Sequence, residues 1–361
     1  MRIVQLIDSL EAGGAERMAV QYANGLAETI AFSGLVATRK GGILKTQIKE
    51  QVAYSCLFKK SSLDVYAILK LRKFVKLNRV NIIHAHSSSS FTAVMLKFFM
   101  PKIKIIWHDH YGNSDFLEDR PTKALRISSY FFSGIIAVND NLKKWSQSKL
   151  HFKNAIYLHN FATSEKGIAL ATFLKGEDGK RIVCLANLRP QKNHLFLLQV
   201  AERLKSEYPE WTFHLVGKDF RDGYSSTIKD FILHKSLEDH VFLYGSCSDV
   251  EWILEQAEIA VLSSSSEGLP VALLEYGLNK KPVVVTNVGQ ISAVVTDEIS
   301  GFLVPSGNIE LFFNSLVALI NDQLLRERLA TNLFQKVEKE FSAGSVIQKY
   351  IQWVKATITD E

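Results

Sequence analysis

Two glutamates eight positions apart are the strongest candidates for chemistry in this sequence. Glu267 and Glu275 lie in the segment LSSSSEGLPVALLE, which follows a short apolar run of strand length. Pro270 suits the first turn of a helix, so we expect a helix that starts at Leu269. The backbone N–H groups of Gly268 and Leu269 would then lie at its positive end, which is a ready anion site.

Two carboxylates that bracket an anion site fit a sugar bound through a diphosphate. With Glu275 about six residues into the helix, the two groups would lie about 9 Å apart along its axis. One glutamate could then meet the hydroxyls of the sugar and the other those of a ribose. The alternative is structural: Glu275 on the solvent face of the helix and Glu267 as an ordinary loop charge.

A second candidate loop, ANLRPQKN, places two cations after another apolar run. Arg189 can grip phosphate oxygens with two hydrogen bonds, whereas Lys192 acts as a point charge. Such cations would neutralise a diphosphate leaving group. The alternative is that both are surface charges of a loop that opens a helix.

Near the amino terminus, the loop EAGGAER follows the first strand-like segment. Gly13 and Gly14 let the backbone approach a ligand, and Glu16 lies just inside the helix that should follow. The loop has neither the GxGxxG pattern nor the Gly-Lys-Ser/Thr of a P-loop. It could face a phosphate or an acceptor, or it could be an ordinary tight turn.

Four histidines end two strand-like segments of the first half, as His84-Ala-His86 and His108-Asp-His110. Four imidazoles could bind a metal, but Asp109 is the single carboxylate beside them and no cysteine joins them. We therefore expect histidines that are packed or hydrogen-bonded along a cleft, with one at the reacting sugar. The chain also has no Asp-x-Asp motif, the usual metal-binding handle for a nucleotide-sugar diphosphate.

These loops need strands to position them, and the sequence supplies two series of them. Strand-length apolar runs alternate with helical patterns, which predicts α/β domains with parallel sheets. A chain of 361 residues exceeds one core of ordinary size, so we expect two domains, 1–162 and 163–342. The connection Thr163–Lys180 is predicted to be partly helical at Ile168–Lys175. Ligands of such sheets lie beyond the carboxyl ends of the strands.

Charge is divided unequally between the two halves. Residues 1–165 carry 23 Lys+Arg and 12 Asp+Glu, while residues 166–361 carry 20 and 25. The basic half predicts an anionic partner, with a membrane surface or a lipid-pyrophosphate favoured over a nucleic acid, because we expect no interleaved surface aromatics. A solvated basic face is the alternative. The basic clusters that could meet lipid are Lys59-Lys60, Arg72-Lys73-Lys76-Arg79 and Lys143-Lys144.

The sequence shows no signal-peptide pattern, no apolar run of spanning length and no cysteine framework. We therefore expect a cytoplasmic protein that contacts the inner face of the plasma membrane.

These motifs, in this order, resemble glycosyltransferase family 4, a retaining group with the GT-B fold. The resemblance covers nearly the whole chain and is most specific at the Glu-x7-Glu segment, Glu267–Glu275. It also includes the Gly-Gly loop, the histidine after a first-half strand, and the segments TNVG and SGFLVP. It implies two Rossmann-like domains whose parallel sheets face each other across a cleft, with the closing helix 343–361 packed on the first domain.

The resemblance also implies roles for individual residues. The catalytic set would be His108, Glu267, Arg189 and Lys192; the donor-binding set Gly14, Asn187, Gly268, Leu269 and Glu275; the acceptor-binding set Gly13, Glu16, His86 and His110. The family's usual Gly-Arg-Leu is Ala186-Asn187-Leu188 here, so Arg189 would have to supply the missing charge from another angle. Gln290 stands where a second glycine is common.

The implied activity is transfer of a hexose or N-acetylhexosamine, with retention, from a nucleotide sugar to a saccharide or lipid-linked oligosaccharide. UDP is the default nucleotide, no metal or other cofactor is implied, and the setting is bacterial capsule, O-antigen or exopolysaccharide assembly. The alternatives are a nucleotide-sugar epimerase or phosphorylase of the same fold, a non-catalytic protein that binds the sugar nucleotide, and a nucleic-acid binder.

Overall fold

The computed structural model describes residues 1–11, 13–112, 117–163 and 171–358. The chain divides into two compact units. The first contains Met1–Phe161 together with Ala343–Glu361, and the second contains Ala162–Ser342. The carboxyl-terminal helix therefore belongs to the first unit, although it follows the second in sequence.

Each unit is built on one parallel sheet. The strands are β1 Arg2–Ile7, β2 Phe32–Ala37, β3 Ala53–Cys56, β4 Ile82–His86, β5 Lys104–Asp109, β6 Gly134–Ala137, β7 Ala155–Tyr157, β8 Arg181–Leu185, β9 Thr212–Val216, β10 Val241–Gly245, β11 Ile259–Leu262, β12 Val283–Thr286 and β13 Phe302–Val304. The helices are α1 Gly14–Ala27, α2 Val65–Leu77, α3 Ser90–Phe99, α4 Lys123–Ser129, α5 Asp140–Lys149, α6 His194–Glu207, α7 Gly223–His234, α8 Val250–Glu255, α9 Val271–Leu278, α10 Ile291–Val294, α11 Ile309–Asn321, α12 Gln323–Glu340 and α13 Ala343–Thr357.

The strand order places a topological switch point in each sheet. The first sheet runs β3-β2-β1-β4-β5-β6-β7, and the second runs β10-β9-β8-β11-β12-β13. The direction of winding reverses between β1 and β4 in the first sheet and between β8 and β11 in the second. In open α/β sheets the crevice at such a point is where ligands bind.

Both sheets are covered by helices on their two faces, as parallel sheets require. In the first unit, α2, α3, α4 and α5 cover one face, while α1 and α13 lie on the other. In the second unit, α6, α7 and α11 cover one face and α8, α9, α10 and α12 the other. The fold is therefore doubly wound in each unit, and the prediction of two α/β domains with parallel sheets is confirmed.

Local signals explain where several helices begin. The Asp64 carboxylate accepts a hydrogen bond from the Ala67 N–H at 3.0 Å, and the Asn139 carboxamide accepts one from the Leu142 N–H at 2.8 Å. Both are N-cap contacts that satisfy an otherwise unpaired helix donor. The sequence therefore carried a start signal for α5, which we did not predict.

Other elements differ from the sequence prediction for identifiable reasons. Edge strand β3 has no apolar alternation, and all four of its residues are only partly buried. The short α4 and α10 were also missed. The predicted helix Ile168–Lys175 is wrong over 171–175, which have no regular structure. The backbone N–H groups of Ala171 and Thr172 donate to the Asp249 carboxylate, and that of Leu174 donates to Gln256, so they are not available for helical hydrogen bonds. Residues 168–170 lie outside the described part of the chain.

Helix α13 joins the first unit through close contacts with its sheet and with α1. The Trp353 ring lies against Gly134, where an added Cβ would come within 2.5 Å of it, and the Trp353 indole N–H donates to Asn154 at 3.2 Å. Within the described residues, no helix has the length and apolar character needed to cross a bilayer.

Candidate functional site

Two loops of the second unit are tied together beyond the carboxyl ends of β8 and β11. The Ser263 hydroxyl donates to the Lys192 carbonyl at 3.0 Å, and the Ser265 N–H donates to the Gln191 carbonyl at 2.8 Å. The serine run therefore holds the cationic loop in place. This is the switch point of the second sheet, so the topology and the sequence motifs agree on one location.

The two loops also share an ion pair. The Lys192 ammonium contacts Glu267 Oε1, and the Ser264 hydroxyl donates to that same oxygen at 2.6 Å. The side chain of Glu267 is 6% exposed and that of Lys192 is 21% exposed. A buried carboxylate needs such compensation. The pair keeps a cation and an anion side by side at the carboxyl edge of the sheet.

Helix α9 starts two residues later than we predicted. Its first helical residue is Val271, and Pro270 is extended, with ψ 125°, at the N-cap. A proline also disfavours helical geometry in the residue before it, which is Leu269. The prediction that Pro270 lies in the first turn is wrong, and Gly268 and Leu269 precede the helix rather than open it. The helix start itself still points to this edge of the sheet.

Glu275 lies in the second turn of α9, four residues after its start, and is 9% exposed. The alternative of a solvent-facing Glu275 is therefore wrong. Its neighbour Tyr276 fixes the helix beneath the strands, because the phenol accepts the Leu185 N–H at 2.7 Å and donates to the Val261 carbonyl at 3.2 Å. Tyr276 is a positioning residue that the sequence reasoning missed.

Gly289 holds the Glu267 segment from the other side. Its φ is +56°, and an added Cβ would lie 1.9 Å from the Glu267 carbonyl oxygen. In addition, the Gln290 N–H donates to the Gly268 carbonyl at 3.0 Å. Glycine is required here both by the left-handed backbone and by the close approach. The TNVG segment, seen in the sequence as a motif, is thus part of this site.

Asn187, which stands where the Gly-Arg-Leu motif has arginine, stabilises the loop through a hydrogen bond. Its carboxamide oxygen accepts the Lys218 N–H at 2.7 Å, while the Leu188 N–H donates to the Lys218 carbonyl at 2.9 Å. Gly217 allows this approach, since a Cβ there would lie 2.1 Å from the Ala186 carbonyl oxygen. The side chain of Asn187 thus brings Lys218 next to the cationic loop.

Arg189 and Lys218 both lie over the ring of Phe220. The Arg189 guanidinium carbon is 4.5 Å and the Lys218 Nζ 5.1 Å from the ring centre. Arg189 is exposed, and no carboxylate of the described residues pairs with it. The second unit therefore offers a cation at Arg189 in addition to Lys192, with Lys218 as a third that the sequence reasoning did not single out.

In the first unit, the Gly-Gly loop opens α1, with Gly13 at the N-cap and Gly14 as the first helical residue. The Glu16 carboxylate folds over the loop, so that a Cβ at Gly13 would lie 2.3 Å from Glu16 Oε2. A carboxylate at a helix N-terminus is stabilised by the dipole and competes with a bound anion. The predicted roles of Gly14 in donor binding and of Gly13 and Glu16 in acceptor binding stay predictions. Ala12, in the same loop, lies outside the described residues.

The four histidines meet at the switch point of the first sheet. His84 Nε2 and His108 Nδ1 are 3.1 Å apart, and His86 Nδ1 and His110 Nε2 are 2.9 Å apart. Burial lowers the pKa of His84, His86 and His108 well below the ordinary value and that of His110 to about 3. All four are therefore neutral near pH 7.

Nitrogens of His84, His86 and His108 lie within 4.8 Å of one another, close enough to be considered as metal ligands. His84 Nε2 and His108 Nδ1 are engaged with each other, whereas His84 Nδ1 and His108 Nε2 are buried without a hydrogen-bond partner among the described residues. The neighbouring Asp109 carboxylate accepts two hydrogen bonds from the Arg120 guanidinium, at 2.7 Å to Oδ2 and 2.8 Å to Oδ1. Asp109 is therefore taken up by Arg120 and adds no ligand beside the three imidazoles. The arrangement thus favours a hydrogen-bonded cluster.

The predicted site residues thus fall into two groups, one in each unit. The second unit brings Lys192, Glu267 and Gly268 together around the start of α9, with Arg189 beside Lys218. The first unit brings the four histidines together at the edge near α1.

Known proteins resemble this chain in sequence and in fold. The family model for Glycosyltransferase Family 4 matches residues 12–162, and that for Glycosyl transferases group 1 matches residues 169–336. The chain is 22% identical over 311 residues to the UDP-Gal:alpha-D-GlcNAc-diphosphoundecaprenol alpha-1,3-galactosyltransferase of Escherichia coli, covering 79% of this chain and 78% of that protein.

Two further similarities extend over almost the whole chain. A Campylobacter jejuni GalNAc-alpha-(1->4)-GalNAc-alpha-(1->3)-diNAcBac-PP-undecaprenol alpha-1,4-N-acetyl-D-galactosaminyltransferase is 23% identical, with 98% of each chain covered. The crystal structure of Anabaena Alr3699/HepE in complex with UDP-glucose superposes with a TM-score of 0.77 at 16% identity, covering 99% of this chain and 100% of that chain. The two family models together span nearly all of the chain, and the fold is GT-B. This protein belongs to glycosyltransferase family 4, group 1.

Proposed function

We propose that this glycosyltransferase moves a hexose or N-acetylhexosamine, with retention and without a metal, from a UDP-sugar to a lipid-linked or polymeric saccharide. The observation that carries the proposal is the Lys192–Glu267 pair set against the start of α9, with Glu275 buried in the next turn. A cation, a helix N-terminus and two carboxylates form a site for a diphosphate flanked by hydroxyl groups.

In this proposal, four residues of the second unit bind different parts of the donor. Lys192 and Arg189 bind the diphosphate, Glu267 accepts hydrogen bonds from the hexose hydroxyls, and Glu275 accepts them from the ribose. When the diphosphate binds, the Lys192 ammonium contacts both the phosphate and Glu267. The Glu267 carboxylate can then accept hydrogen bonds from the sugar hydroxyls. Support for a UDP donor comes from the E. coli relative, whose name specifies UDP-Gal, and from the UDP-glucose complex of HepE.

Transfer would follow a front-face path. The bond between the anomeric carbon and the diphosphate oxygen breaks, the acceptor oxygen bonds to the same face of that carbon, and the acceptor proton passes to the departing diphosphate. Charge develops on the diphosphate, so catalysis rests on fixed positive groups aimed at it. Those groups are Lys192, Arg189 and the N-terminus of α9.

The acceptor proposal rests on the relatives. The E. coli and C. jejuni proteins are named for undecaprenol-linked substrates. We therefore propose an acceptor of the same class, used in the assembly of a bacterial surface polysaccharide such as capsule, O-antigen or exopolysaccharide. The Gly13–Gly14 loop, Glu16 and the histidine edge of the first unit would bind it.

A lipid-linked acceptor requires access to a membrane, and one face of the first unit suits that task. Helices α2, α3 and α4 lie side by side, and their outer surface exposes aromatic and aliphatic side chains among cations. The exposed apolar residues are Leu63, Tyr66, Leu69, Leu77, Phe98, Phe99, Ile127 and Tyr130. The exposed cations nearby in sequence include Lys60, Lys73, Lys76 and Arg79. Apolar residues mixed with cations favour an anionic lipid surface.

Two sequence expectations about this surface are wrong. We expected no interleaved surface aromatics, yet Tyr66 is 77% and Tyr130 82% exposed. We also placed Lys59 among the lipid-facing cations, but it is buried and its ammonium donates to the Thr92 hydroxyl at 2.7 Å. Apolar spacing alone does not reveal which aromatic side chains the neighbouring helices leave uncovered.

The donor test is a thermal-shift panel of UDP-, GDP- and ADP-sugars in the presence of EDTA. We expect stabilisation by UDP-sugars that is insensitive to the chelator and lost in Glu275→Ala. The matched control is Glu238→Ala, an exposed carboxylate in the same unit. Stabilisation that requires a divalent cation would contradict the metal-independent mechanism. Consumption of the sugar nucleotide to an isomeric sugar nucleotide, with no UDP released, would favour an epimerase.

The membrane test is co-sedimentation with phosphatidylglycerol vesicles and with phosphatidylcholine vesicles. We expect binding to the anionic vesicles that falls in the double variant Tyr66→Ala/Phe98→Ala and at high salt. Leu324→Ala, which removes an equally exposed apolar side chain from the second unit, should bind as the wild type does. Equal loss in both variants would contradict this surface as the docking face.

A further inference from the structure

The carboxyl edge of the first sheet carries a buried lysine beyond β3, away from the histidine cluster. Lys59 is 7% exposed, its backbone N–H donates to the Thr38 carbonyl at 2.8 Å, and its ammonium donates to the Thr92 hydroxyl at 2.7 Å. An ammonium has three donors, and the described residues give this one a single hydrogen bond and no ion pair. So little compensation is unusual, because burying a charge costs free energy unless the charge is paired.

Two carboxylates lie close enough to influence the Lys59 ammonium, but neither pairs with it. The Asp8 carboxylate accepts hydrogen bonds from the Thr38 hydroxyl at 2.5 Å and from the Ser88 hydroxyl at 2.6 Å. The Asp64 carboxylate accepts two backbone N–H groups around the start of α2, each at 3.0 Å. Both anions are thus occupied by neutral donors, and Lys59 has no direct counterion among the described residues.

An exposed arginine adds a second cation beside Lys59. Arg39 follows β2, which pairs with β3, so both cations follow neighbouring strands at the same edge. Burial lowers the pKa of the Lys59 ammonium, Asp8 opposes this shift, and Arg39 adds to it. Within the described part of the chain the Arg39 side chain has no hydrogen bond or ion pair, whereas that of Lys40 pairs with Glu11. An anion bound by Lys59 and Arg39 would relieve the repulsion between them.

The strand order separates these cations from the four histidines. In the order β3-β2-β1-β4, the carboxyl ends of the strands lead in turn to Lys59, Arg39, Asp8 and His86. Neighbouring strands lie about 4.8 Å apart, so β3 is about 14 Å from β4. The edge therefore has a neutral end at the histidines and a positive end at Lys59.

The loop that carries Lys59 also exposes apolar side chains. Phe58 has a φ of +58° and is exposed, as is Leu63. The left-handed region is costly for a bulky residue and persists only where other contacts hold it. Here the Lys70 ammonium donates to the Cys56 carbonyl at 2.6 Å and lies 5.3 Å from the centre of the Phe58 ring. Phe58 and Leu63 thus form an apolar rim, while Lys59 points into the unit.

We propose that Lys59 and Arg39 bind the pyrophosphate of an amphiphile whose lipid chain passes the apolar rim. Pyrophosphate oxygens can accept the two unused donors of Lys59 and the planar fork of Arg39, and their charge compensates the buried ammonium. The identity of the amphiphile rests on the proposed function, in which the acceptor is linked to a lipid. Its saccharide then extends towards the neutral end of the edge. The anion site itself does not depend on the donor.

The first test is isothermal titration calorimetry of the full chain with inorganic pyrophosphate and with farnesyl pyrophosphate, in excess UDP. UDP occupies the diphosphate site proposed for the second unit. We expect Lys59→Met and Arg39→Gln each to weaken both probes about tenfold, because each removes a charge-assisted hydrogen bond. Lys40→Gln, which removes a neighbouring cation that is already paired, should bind as the wild type does. Arg39 is exposed, so its variant should fold, and unchanged affinities in Arg39→Gln overturn the proposal.

Lys192→Ala separates this site from the donor site. It should leave the affinities for both probes unchanged, and a loss equal to that in Lys59→Met would place the probes in the second unit and overturn the proposal. If UDP does not bind, the proposed donor fails. The titrations are then repeated without UDP in the Lys192→Ala background, where Lys59→Met and Arg39→Gln still decide the anion site.

Thermal unfolding without ligand tests whether Lys59 serves folding instead. Lys59→Met keeps the length of the side chain and removes an uncompensated buried charge, so its Tm should equal or exceed that of the wild type. Pyrophosphate should raise the Tm of the wild type but not that of Lys59→Met. A lower Tm in this variant with unchanged affinity for both probes overturns the proposal.

The last test concerns the lipid chain. Phe58→Asn removes the ring but keeps a residue that tolerates positive φ, so it should weaken farnesyl pyrophosphate and leave inorganic pyrophosphate unchanged. An equal loss for both probes overturns the role of the rim. A bilayer headgroup also offers a phosphate, so Lys59→Met and Arg39→Gln are sedimented with phosphatidylglycerol vesicles. We expect wild-type sedimentation. Loss of vesicle binding with unchanged affinity for farnesyl pyrophosphate would assign the site to a headgroup and overturn the proposal.

Discussion

The carboxyl edges of the two sheets differ in charge. At the β8–β11 switch point, a cation and a carboxylate are paired inside a frame of serine hydroxyls, and Arg189 remains without a carboxylate partner among the described residues. At the β1–β4 switch point, the polar groups are four neutral imidazoles and an amide. The same topology thus supports a charged site in one unit and an uncharged one in the other.

This difference matches the chemistry of the two substrates in the proposed reaction. A diphosphate must be met by fixed positive charge, which the second unit provides. A saccharide acceptor offers uncharged hydroxyl groups, so the neutral groups of the first unit can exchange hydrogen bonds with it without a buried unpaired ion. Two neutral pairs also avoid the cost of burying charge beside the apolar core of the first unit. The predictions below test this contrast between a charged and a neutral edge.

The largest expected effect is acid destabilisation of the first unit. The four histidines have a lower pKa folded than unfolded, so the unfolded chain binds more protons and stability falls as pH drops below about 6.5. Each of the four histidines adds to this loss, which therefore grows as the pH is lowered from 7.5 to 5.5. The second unit has two histidines of this kind, since burial lowers the pKa of His194 to about 4 and that of His214 to about 3. Its stability should therefore fall less than that of the first unit.

Hydrogen exchange followed by mass spectrometry at the two pH values measures each unit separately. We expect protection in the first unit to fall further than in the second. The exposed His151→Gln should leave the pH dependence unchanged. Equal loss of protection in both units would show that the neutral cluster does not control acid stability.

Next in size is the loss of the paired cation. Lys192→Ala removes positive charge aimed at the leaving group and leaves Glu267 buried without its partner, so we expect a loss of about 10²–10³-fold in kcat. The control is Lys235→Ala, which breaks the exposed Lys235–Glu202 ion pair in the same unit. UDP release from the UDP-sugar in the presence of acceptor is the measurement. A small loss, equal to that of the control, would mean that Lys192 serves folding only.

A smaller effect is expected at the glycine that holds the Glu267 segment. Gly289→Ala places a Cβ against the Glu267 carbonyl at positive φ, which should cost about 1–3 kcal/mol and weaken donor binding. Gly307 has a φ of +86° but open space around it, so Gly307→Ala isolates the backbone strain from the close contact. Urea unfolding and UDP affinity are measured for both. Equal losses of UDP affinity would contradict a role of Gly289 in positioning Glu267.

The smallest effect concerns the cations that bracket Phe220. Arg189→Ala and Lys218→Ala should each weaken UDP binding about tenfold, because a partly exposed cation near a phosphate contributes on the order of 1 kcal/mol. Uridine, which lacks the diphosphate, should bind the variants and the wild type equally. Isothermal titration calorimetry gives both affinities. A loss with uridine as well would place these cations at the nucleoside instead.

The sequence by itself determined the alternation of strands and helices and the loops that carry the chemistry. Apolar spacing, Gly13–Gly14 and the Glu-x7-Glu segment are local features, so they survive without knowledge of the fold. They indicated the family and the two sheets, whereas β3, α4, α5 and α10 were missed and a helix was wrongly predicted over 171–175. Local spacing also misplaced the start of α9. The apolar pattern begins at Leu269, but Pro270 disfavours helical geometry in the residue before it, so the helix begins at Val271.

Only the tertiary structure decided which of these groups meet. Strand register brings His84 and His86 beside His108, and loop packing joins Lys192 to Glu267 across 75 positions of sequence. It also decided that His110 covers His108, that Gln5 anchors His86, and that Gly289 contacts Glu267. Contacts between distant positions depend on how the strands and helices pack, and the pattern of one segment carries no information about the side chains of another.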